Sequence, residues 1–202
     1  MMNVNYNEEM KKIISNLDNN NNNKLLLHSC CGPCSTAVIE RLKDYFDITI
    51  LYYNPNIEPK DEYIKRKEEQ LKVLKEYNIK FKDIDYLNEE YRKKVIGYEK
   101  EPENGARCHI CYELRLEKTA ILAKENSFDY FATTLTVSPY KNAKVINEIG
   151  LKLQDKYEIK YLLSDFKKED GYKKSIELSK KYNLYRQDYC GCLFSKEKDI
   201  DE

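Results

Sequence analysis

The sequence lacks a net charge, a secretion signal and a long apolar run. Its 35 lysines and arginines balance 35 aspartates and glutamates, so no overall field attracts nucleic acid or a membrane surface. The start, MMNVNYNEEMKK, has two glutamates and no apolar h-region, and no stretch approaches the roughly 18 apolar residues of a transmembrane helix. These absences predict a cytoplasmic protein without membrane contact, in which thiols stay reduced and a static disulfide framework is not expected.

The sequence also lacks an internal repeat and any sign of a second domain. A chain of 202 residues is long enough for one hydrophobic core. We expect residues 1–23 to form an N-terminal helix and a joint over the polar Asn19 to Asn23 run, which cannot bury apolar surface. Residues 24–202 are predicted to form a single α/β catalytic domain.

From residue 24 onwards, short apolar runs alternate with amphipathic segments. The pattern predicts strands at 24–29, 46–53, 79–86, 128–137 and 158–166, with helices between them and a last helix at 172–182. Such alternation predicts a doubly wound, mostly parallel Rossmann-like (HUP-like) sheet with helices on both faces. Ligands of these folds bind beyond the carboxyl ends of the strands, where this sequence places its cysteine-rich loops.

What the sequence does have is seven cysteines in three groups. Clustered soft ligands in a reducing compartment indicate a metal centre or a dithiol couple, because packing alone does not call for CC, CxxC and CxC spacings. The groups are Cys30, Cys31 and Cys34 in HSCCGPC, Cys108 and Cys111 in RCHIC, and Cys190 and Cys192 in YCGC.

Three interpretations of these groups stay open on spacing alone. Cys31-Gly32-Pro33-Cys34 matches the thioredoxin redox motif, which predicts a thioredoxin-like dithiol exchanger. Two sulfur pairs at one edge also suit an iron–sulfur cluster, or the structural zinc of a zinc-stabilised nucleotide-binding module. Adjacent side chains diverge on an extended chain, so Cys30 and Cys31 favour a larger cluster or two metals over a single zinc. His28 and His109 are expected to support the ligands rather than bind metal.

The CxC group has a different geometry. Gly191 permits the tight bend that a disulfide between Cys190 and Cys192 needs, and the small strained ring would be easily reduced. This pair therefore suits an electron relay, with further metal ligands or plain thiols as the alternatives.

Five sequence blocks closely resemble the epoxyqueuosine reductases of the QueH type. In order along the chain they cover nearly everything from residue 24 to 196 and are together more specific than any CxxC. The blocks are Leu25 to Thr36, Tyr52 to Tyr63, Arg107 to Ala120, Phe128 to Gly150 and Leu162 to Ser195.

This resemblance implies the last step of queuosine biosynthesis, the cobalamin-independent reduction of epoxyqueuosine to queuosine at the wobble position of tRNA. It implies a [4Fe-4S] cluster whose ligands map onto Cys30, Cys31, Cys108 and Cys111. A second, mononuclear iron would lie near the first motif, with Cys34 as its candidate ligand. Cys190 and Cys192 match a redox-active pair. The implied partners are tRNA carrying epoxyqueuosine and an electron donor that the sequence does not identify.

The reaction needs two electrons and two protons, and the substrate is an RNA. His28, Asp165 and Tyr140 lie at the predicted edge and are candidate proton donors. Tyrosines could stack on a splayed anticodon base, and two basic segments could contact phosphates. The stacking candidates are Tyr140, Tyr172, Tyr185 and Tyr189, and the phosphate candidates are Lys141, Lys144, Lys167, Lys168, Lys173 and Lys174.

Overall fold

A computed structural model describes residues 4–18 and 22–196. Five parallel strands form one sheet in the order β3-β2-β1-β4-β5, which confirms the predicted doubly wound α/β class. The strands are β1 (Lys24–His28), β2 (Asp47–Tyr52), β3 (Lys80–Asp83), β4 (Tyr130–Thr133) and β5 (Lys160–Tyr161). The helices are α1 (Tyr6–Ser15), α2 (Gly32–Leu42), α3 (Lys60–Tyr77), α4 (Asn88–Lys94), α5 (Ala106–Glu125), α6 (Ala143–Tyr157), α7 (Gly171–Lys181) and α8 (Leu193–Lys196).

Alternate residues of the central strand β1 face two separate layers of helices. Leu25 and Leu27 join a buried cluster that includes residues of α1, α2 and α3. Leu26, between them, packs in a second cluster with residues of α5 and α6. A parallel strand covered on both faces is a continuous apolar run, which is why KLLLH has no polar alternation before its histidine.

The strand order reverses beside β1. The chain runs outward from β1 through β2 to β3, then crosses back to β4 on the other side of β1. A crevice forms beyond the carboxyl ends of strands at such a point. The segment after β1 carries the first cysteine group, and the segment after β4 is a 3₁₀ helix at Thr134–Val137. The fold thereby brings both segments to the same crevice.

All five strands are shorter than predicted, and side-chain hydrogen bonds explain the early ends of two of them. β4 ends at Thr133 because the side chain of this residue accepts a hydrogen bond of 3.2 Å from the Leu135 N–H and starts the 3₁₀ helix. The predicted strand at 158–166 keeps only Lys160–Tyr161, since the Ser164 N–H bonds the side chain of Asn147 at 2.9 Å instead of a neighbouring strand.

The N-terminal helix α1 packs on the domain. Met10 is 1% exposed and joins the core cluster on the α2 face. Asn7 accepts a hydrogen bond of 2.6 Å from Arg41 of α2 and donates one of 3.1 Å to Glu169. The division into residues 1–23 and 24–202 stays a prediction, and part of the Asn-rich joint lies outside the described residues. Within the described chain, no helix combines the length and apolar character that a membrane crossing requires.

Candidate metal centre

The first cysteine group lies between β1 and α2. After His28 the chain turns, and Cys31 becomes the extended N-cap of α2. The Sγ atoms of Cys30, Cys31 and Cys34 lie within 4.8 Å of one another, with 3.8 Å between Cys30 and Cys31. The prediction that Cys30 and Cys31 diverge was wrong, because both residues follow the strand instead of continuing its pleat. This removes the objection to a single metal ion at this compact group of soft ligands.

The three thiols hold negative charge unequally. Hydrogen bonds from Cys31 and Cys34 lower the pKa of Cys30 well below the ordinary thiol value. The same contact with Cys30 raises the pKa of Cys31 to about 12, and hydrogen bonds to both neighbours raise the pKa of Cys34. Negative charge therefore gathers on Cys30, and a bound metal cation would displace the remaining thiol protons.

The second cysteine group lies in the first turns of α5. The side chain of Glu101 accepts a hydrogen bond of 2.9 Å from the Ala106 N–H, where the helix begins. Cys108 is half-buried and Cys111 is buried, and burial raises the pKa of Cys111 to about 12. In the part of the chain that the structure describes, neither thiol joins a group of three metal-ligating atoms within 4.8 Å. A cluster lies between its thiolates, so cluster ligands do not have to touch one another.

Arg115 connects the cysteine groups electrostatically. It lies one helical turn beyond Cys111 and is 2% exposed. Its Nε donates a hydrogen bond of 3.0 Å to the carbonyl of Cys111, while its buried Nη2 has no partner among the described residues. Burial opposes the charge, but attraction by the thiols of Cys111, Cys190 and Cys30 raises the pKa of the guanidinium overall. A buried cation needs an anion close by. A buried guanidinium near thiols, whose Nη2 lacks a partner among the described residues, therefore fits an anionic metal–thiolate centre.

The third cysteine group is clamped at its backbone. Gly191 has a φ of +121°, a conformation that favours glycine, and its carbonyl accepts a hydrogen bond of 2.8 Å from the Glu58 N–H. The buried guanidinium of Arg66 donates hydrogen bonds of 3.2 Å to the carbonyls of Cys190 and Tyr189. The bend predicted from the CxC spacing is thus held by contacts on both sides.

The two thiols of this group have different surroundings. The Sγ of Cys190 accepts a hydrogen bond of 3.4 Å from the Nζ of Lys141. Cys192 is buried in a small cluster with Cys111 and Tyr91. Both thiols are free. The pair therefore extends from the second cysteine group to the cavity described next.

A cavity of about 370 Å³ opens at the carboxyl edge of the sheet. Thiols, buried cations and aromatic rings meet in its wall, the combination that a site for a planar substrate needs. Its lining includes Cys30, Cys34, Cys190, Arg115, Lys141, Tyr140, Tyr172, Tyr189 and Gln187. Of the four tyrosines predicted to stack, Tyr185 does not line it and instead lies under the ammonium of Lys65, 3.3 Å from the ring centre.

The three predicted proton donors lie in different places. Tyr140 lines the cavity and is 69% exposed. His28 is fully buried, with Nδ1 bonded to Thr133 and Nε2 to the Tyr53 carbonyl, and burial together with Arg115 lowers its pKa to about 4. Asp165 pairs with a lysine and lines a separate cavity. The three roles stay predictions, and the geometry favours Tyr140 among them.

The six lysines predicted to contact RNA also separate. Lys141 lies inside the cavity, beside Cys190. The others do not line it. They lie on α6, on α7 and in the segment before α7, and they are Lys144, Lys167, Lys168, Lys173 and Lys174.

Sequence reasoning missed three residues of the site. The i, i+4 spacing of Cys111 and Arg115 on one helix face was a usable signal for Arg115. No local pattern marks Arg66 or Gln187, since Arg66 reaches a carbonyl 124 residues away and Gln187 donates a hydrogen bond of 2.9 Å to Cys31, 156 residues away. Only the fold creates these contacts.

Fold and site together define a cysteine-rich α/β protein with a cluster of thiols, suited to a metal centre, at the carboxyl edge of a parallel sheet. In fold it is similar to the U34-tRNA thiolase NcsA from Methanococcus maripaludis with its [4Fe-4S] cluster, with a TM-score of 0.56 and 17% identity over 96% of this chain and 70% of that chain.

Sequence comparison identifies the family. Residues 25–198 match the family described as epoxyqueuosine reductase QueH. The chain is 47% identical to the epoxyqueuosine reductase QueH of Streptococcus pyogenes serotype M1, over 87% of this chain and 72% of the relative. It is 45% identical to the epoxyqueuosine reductase QueH of Staphylococcus epidermidis, over 96% of this chain and 86% of the relative. The chain belongs to the QueH family of epoxyqueuosine reductases. It is an oxidoreductase of queuosine biosynthesis, and the thioredoxin-like and zinc-module alternatives give way to this assignment.

Proposed function

We propose that this chain acts on tRNA carrying epoxyqueuosine at the wobble position and reduces it to queuosine without cobalamin. Family membership supports the reaction. The observation that carries the proposal is one cavity in whose wall thiols from the first and third cysteine groups meet four buried or half-buried cations, which are Arg66, Arg115, Lys141 and Arg186. A reductase of a strained oxygen-containing ring needs an electron source and positive charge at one place.

The proposed cofactor is a [4Fe-4S] cluster bound by Cys30, Cys31, Cys108 and Cys111. Two cysteine pairs at one edge match a four-thiolate cluster. The buried guanidinium of Arg115, whose Nη2 has no partner among the described residues, supports a centre with negative charge. When bound, the cluster supplies electron transfer to the cavity. Cys34, within 4.8 Å of Cys30 and Cys31, is the proposed ligand of a second, mononuclear iron.

Residues of the cavity wall are proposed to position the RNA base. Tyr140, Tyr172 and Tyr189 present rings on which an unstacked base can lie. Tyr140 is the most exposed of the three and is placed to meet the base first. The lysines outside the cavity are proposed to contact the phosphates that flank it.

The redox balance assigns a role to the CxC pair. Loss of the epoxide oxygen as water consumes two electrons and two protons, and oxidation of the Cys190 and Cys192 thiols to a disulfide releases the same number of each. The pair therefore matches the reaction, and the electron donor of the cell would restore the thiols.

Anaerobic purification followed by nucleoside mass analysis tests this function. The protein as isolated or reconstituted with iron and sulfide should show broad visible absorption and, with a chemical reductant, should remove one oxygen from epoxyqueuosine in tRNA. Cys108→Ala or Cys111→Ala should lose absorption and activity together. A colourless protein, or a coloured one that leaves the nucleoside mass unchanged, would contradict the proposal.

A Cys190→Ser variant tests the relay separately. It should keep the visible absorption, because Cys190 is not a proposed cluster ligand, and it should lose multiple-turnover activity. Full multiple-turnover activity in this variant would rule out the relay while leaving the cluster assignment intact.

A further inference from the structure

Lys141 is a charged side chain whose position the proposed phosphate-binding role does not explain. It lies between the 3₁₀ helix that follows β4 and the start of α6. Its side chain turns into the cavity, where its Nζ lies 3.4 Å from the Sγ of Cys190. A phosphate of the tRNA backbone would have to compete with a thiol for this ammonium.

The positive charge of Lys141 is stabilised by the sulfur atoms of neighbouring cysteines. Burial would lower the pKa of its ammonium, but attraction by Cys190 and then by Cys30 outweighs burial, so the pKa is raised. Tyr112 also raises this pKa, and the Arg115 guanidinium lowers it. Other charged side chains that line the same cavity are Arg66, Glu103, Arg186 and Asp188. The ammonium is stable here for as long as negative charge remains on the neighbouring sulfur atoms.

We propose that Lys141 is a catalytic residue, whose ammonium stabilises the thiolate of Cys190 and gives its proton to the epoxide oxygen as Cys190 and Cys192 form their disulfide. An ammonium beside a thiol favours the thiolate, the form that reacts. Once Cys190 is part of a neutral disulfide, its attraction for Lys141 is lost. Burial and Arg115 then oppose the ammonium while only Cys30 and Tyr112 still raise its pKa, so the ammonium becomes a stronger acid at the place where the electrons are lost.

The step balances. The Cys190 thiolate and the Cys192 thiol form one S–S bond and release two electrons, which reduce the epoxide carbons as both C–O bonds break. The Lys141 ammonium supplies one proton to the oxygen and solvent in the cavity supplies the other, so the oxygen leaves as water. Cys192 does not line the cavity, and the proton that its thiol loses passes to solvent, which keeps the proton count balanced. The amine regains its proton from solvent before or during reduction of the disulfide.

The inference rests on the proposed redox role of the CxC pair, and the first measurement avoids turnover for that reason. The rate at which iodoacetamide alkylates Cys190 in the anaerobic holoprotein at pH 7 is followed by mass spectrometry. Lys141→Met should slow this rate by about tenfold or more, because the thiolate loses its cation. Lys141→Arg should keep the rate within about threefold, because a guanidinium also stabilises a thiolate.

The second measurement is single-turnover reduction of epoxyqueuosine in tRNA. The single-turnover rate should fall by about 100-fold or more in both Lys141→Met and Lys141→Arg. Met has no proton to give, and a guanidinium keeps its proton and cannot act as the acid. The visible absorption should match that of the unaltered protein in both variants. Lys152→Met, an exposed lysine of α6, is the matched control and should change neither rate.

The outcomes separate the two hypotheses. Unchanged alkylation of Cys190 in Lys141→Met would overturn thiolate stabilisation, and full single-turnover activity in Lys141→Arg would overturn proton transfer. If Cys190→Ser kept full activity while Lys141→Met still slowed alkylation, the redox role would fail and the contact between Lys141 and Cys190 would stand.

Discussion

At the residue scale, neighbouring side chains make chemically identical thiols different. Cys30 gains hydrogen bonds from two other thiols and has a lowered pKa, whereas Cys111, in an apolar environment, has a pKa raised to about 12. A thiolate is the metal ligand and the nucleophile, while a buried thiol stays protonated until a metal displaces the proton. The cysteine groups should therefore differ in reactivity before any metal binds.

The conformation of Gly191 makes a prediction at this scale. A Cβ there would lie 3.0 Å from Ile57 Cγ1 and 3.1 Å from Arg66 Nη1, at a φ that strains any side chain. Gly191→Ala should lower the free energy of unfolding by about 1–3 kcal/mol and displace the CxC segment. Multiple-turnover activity should fall several-fold with the visible absorption retained.

Gly97 provides the matched control. Its φ is +86°, but a Cβ there would meet nothing within 4 Å. Gly97→Ala should therefore lower the free energy of unfolding by about 1–2 kcal/mol through backbone strain alone, measured by urea unfolding, and should leave activity unchanged. If Gly191→Ala were as active as Gly97→Ala, the fit of the CxC segment would not matter to the reaction.

At the element scale, helix formation and helix docking have separate origins. Residues of α1 follow a helical pattern, but the contacts of Asn7 with Arg41 and Glu169 join segments more than 30 residues apart. The same holds at the crevice, where α2 and α5 supply thiols from opposite layers of the sheet. Local sequence predicts each helix, and only packing decides which helix ends meet.

The docking of α1 can be measured. Met10 is 1% exposed against the core, so Met10→Ala should lower the free energy of unfolding by at least about 2 kcal/mol. Lys12→Ala, on the exposed face of the same helix, should change it by less than about 0.5 kcal/mol. Equal and small effects in urea unfolding would mean that α1 lies outside the cooperative unit and would support the predicted division at residue 23.

Strand boundaries at the site were predictable only in part. The order of strands and helices followed from hydrophobic periodicity, as did the position of Cys108 near a helix start. The early ends of β4 and β5 did not, because single side-chain hydrogen bonds from Thr133 and Asn147 redirect the backbone. Such bonds leave no periodic trace in the sequence.

At the scale of the whole molecule, zero net charge means that RNA binding must depend on a local surface. Lys173 and Lys174 are exposed at the start of α7. Each phosphate contact contributes about 0.7–0.9 to the slope of log affinity against log salt concentration. Lys173→Ala/Lys174→Ala should therefore reduce the slope for tRNA binding by about 1 to 2 and weaken binding at low salt.

The far end of the same helix supplies the control. Lys180→Ala/Lys181→Ala removes the same charge from α7, and both residues are exposed. Its slope should equal that of the unaltered protein in a salt titration of tRNA affinity. Equal slopes for both double variants would place the RNA on another face.

The sequence by itself determined the class of this protein, because thiol spacing, strand and helix periodicity and family resemblance are all properties of short segments. Tertiary structure alone decided which thiols touch, that the Nη2 of buried Arg115 has no partner among the described residues, and that half-buried Lys141 contacts Cys190. These contacts join residues far apart in the chain. Their energies depend on burial and distance, which exist only after the sheet has brought its carboxyl ends together.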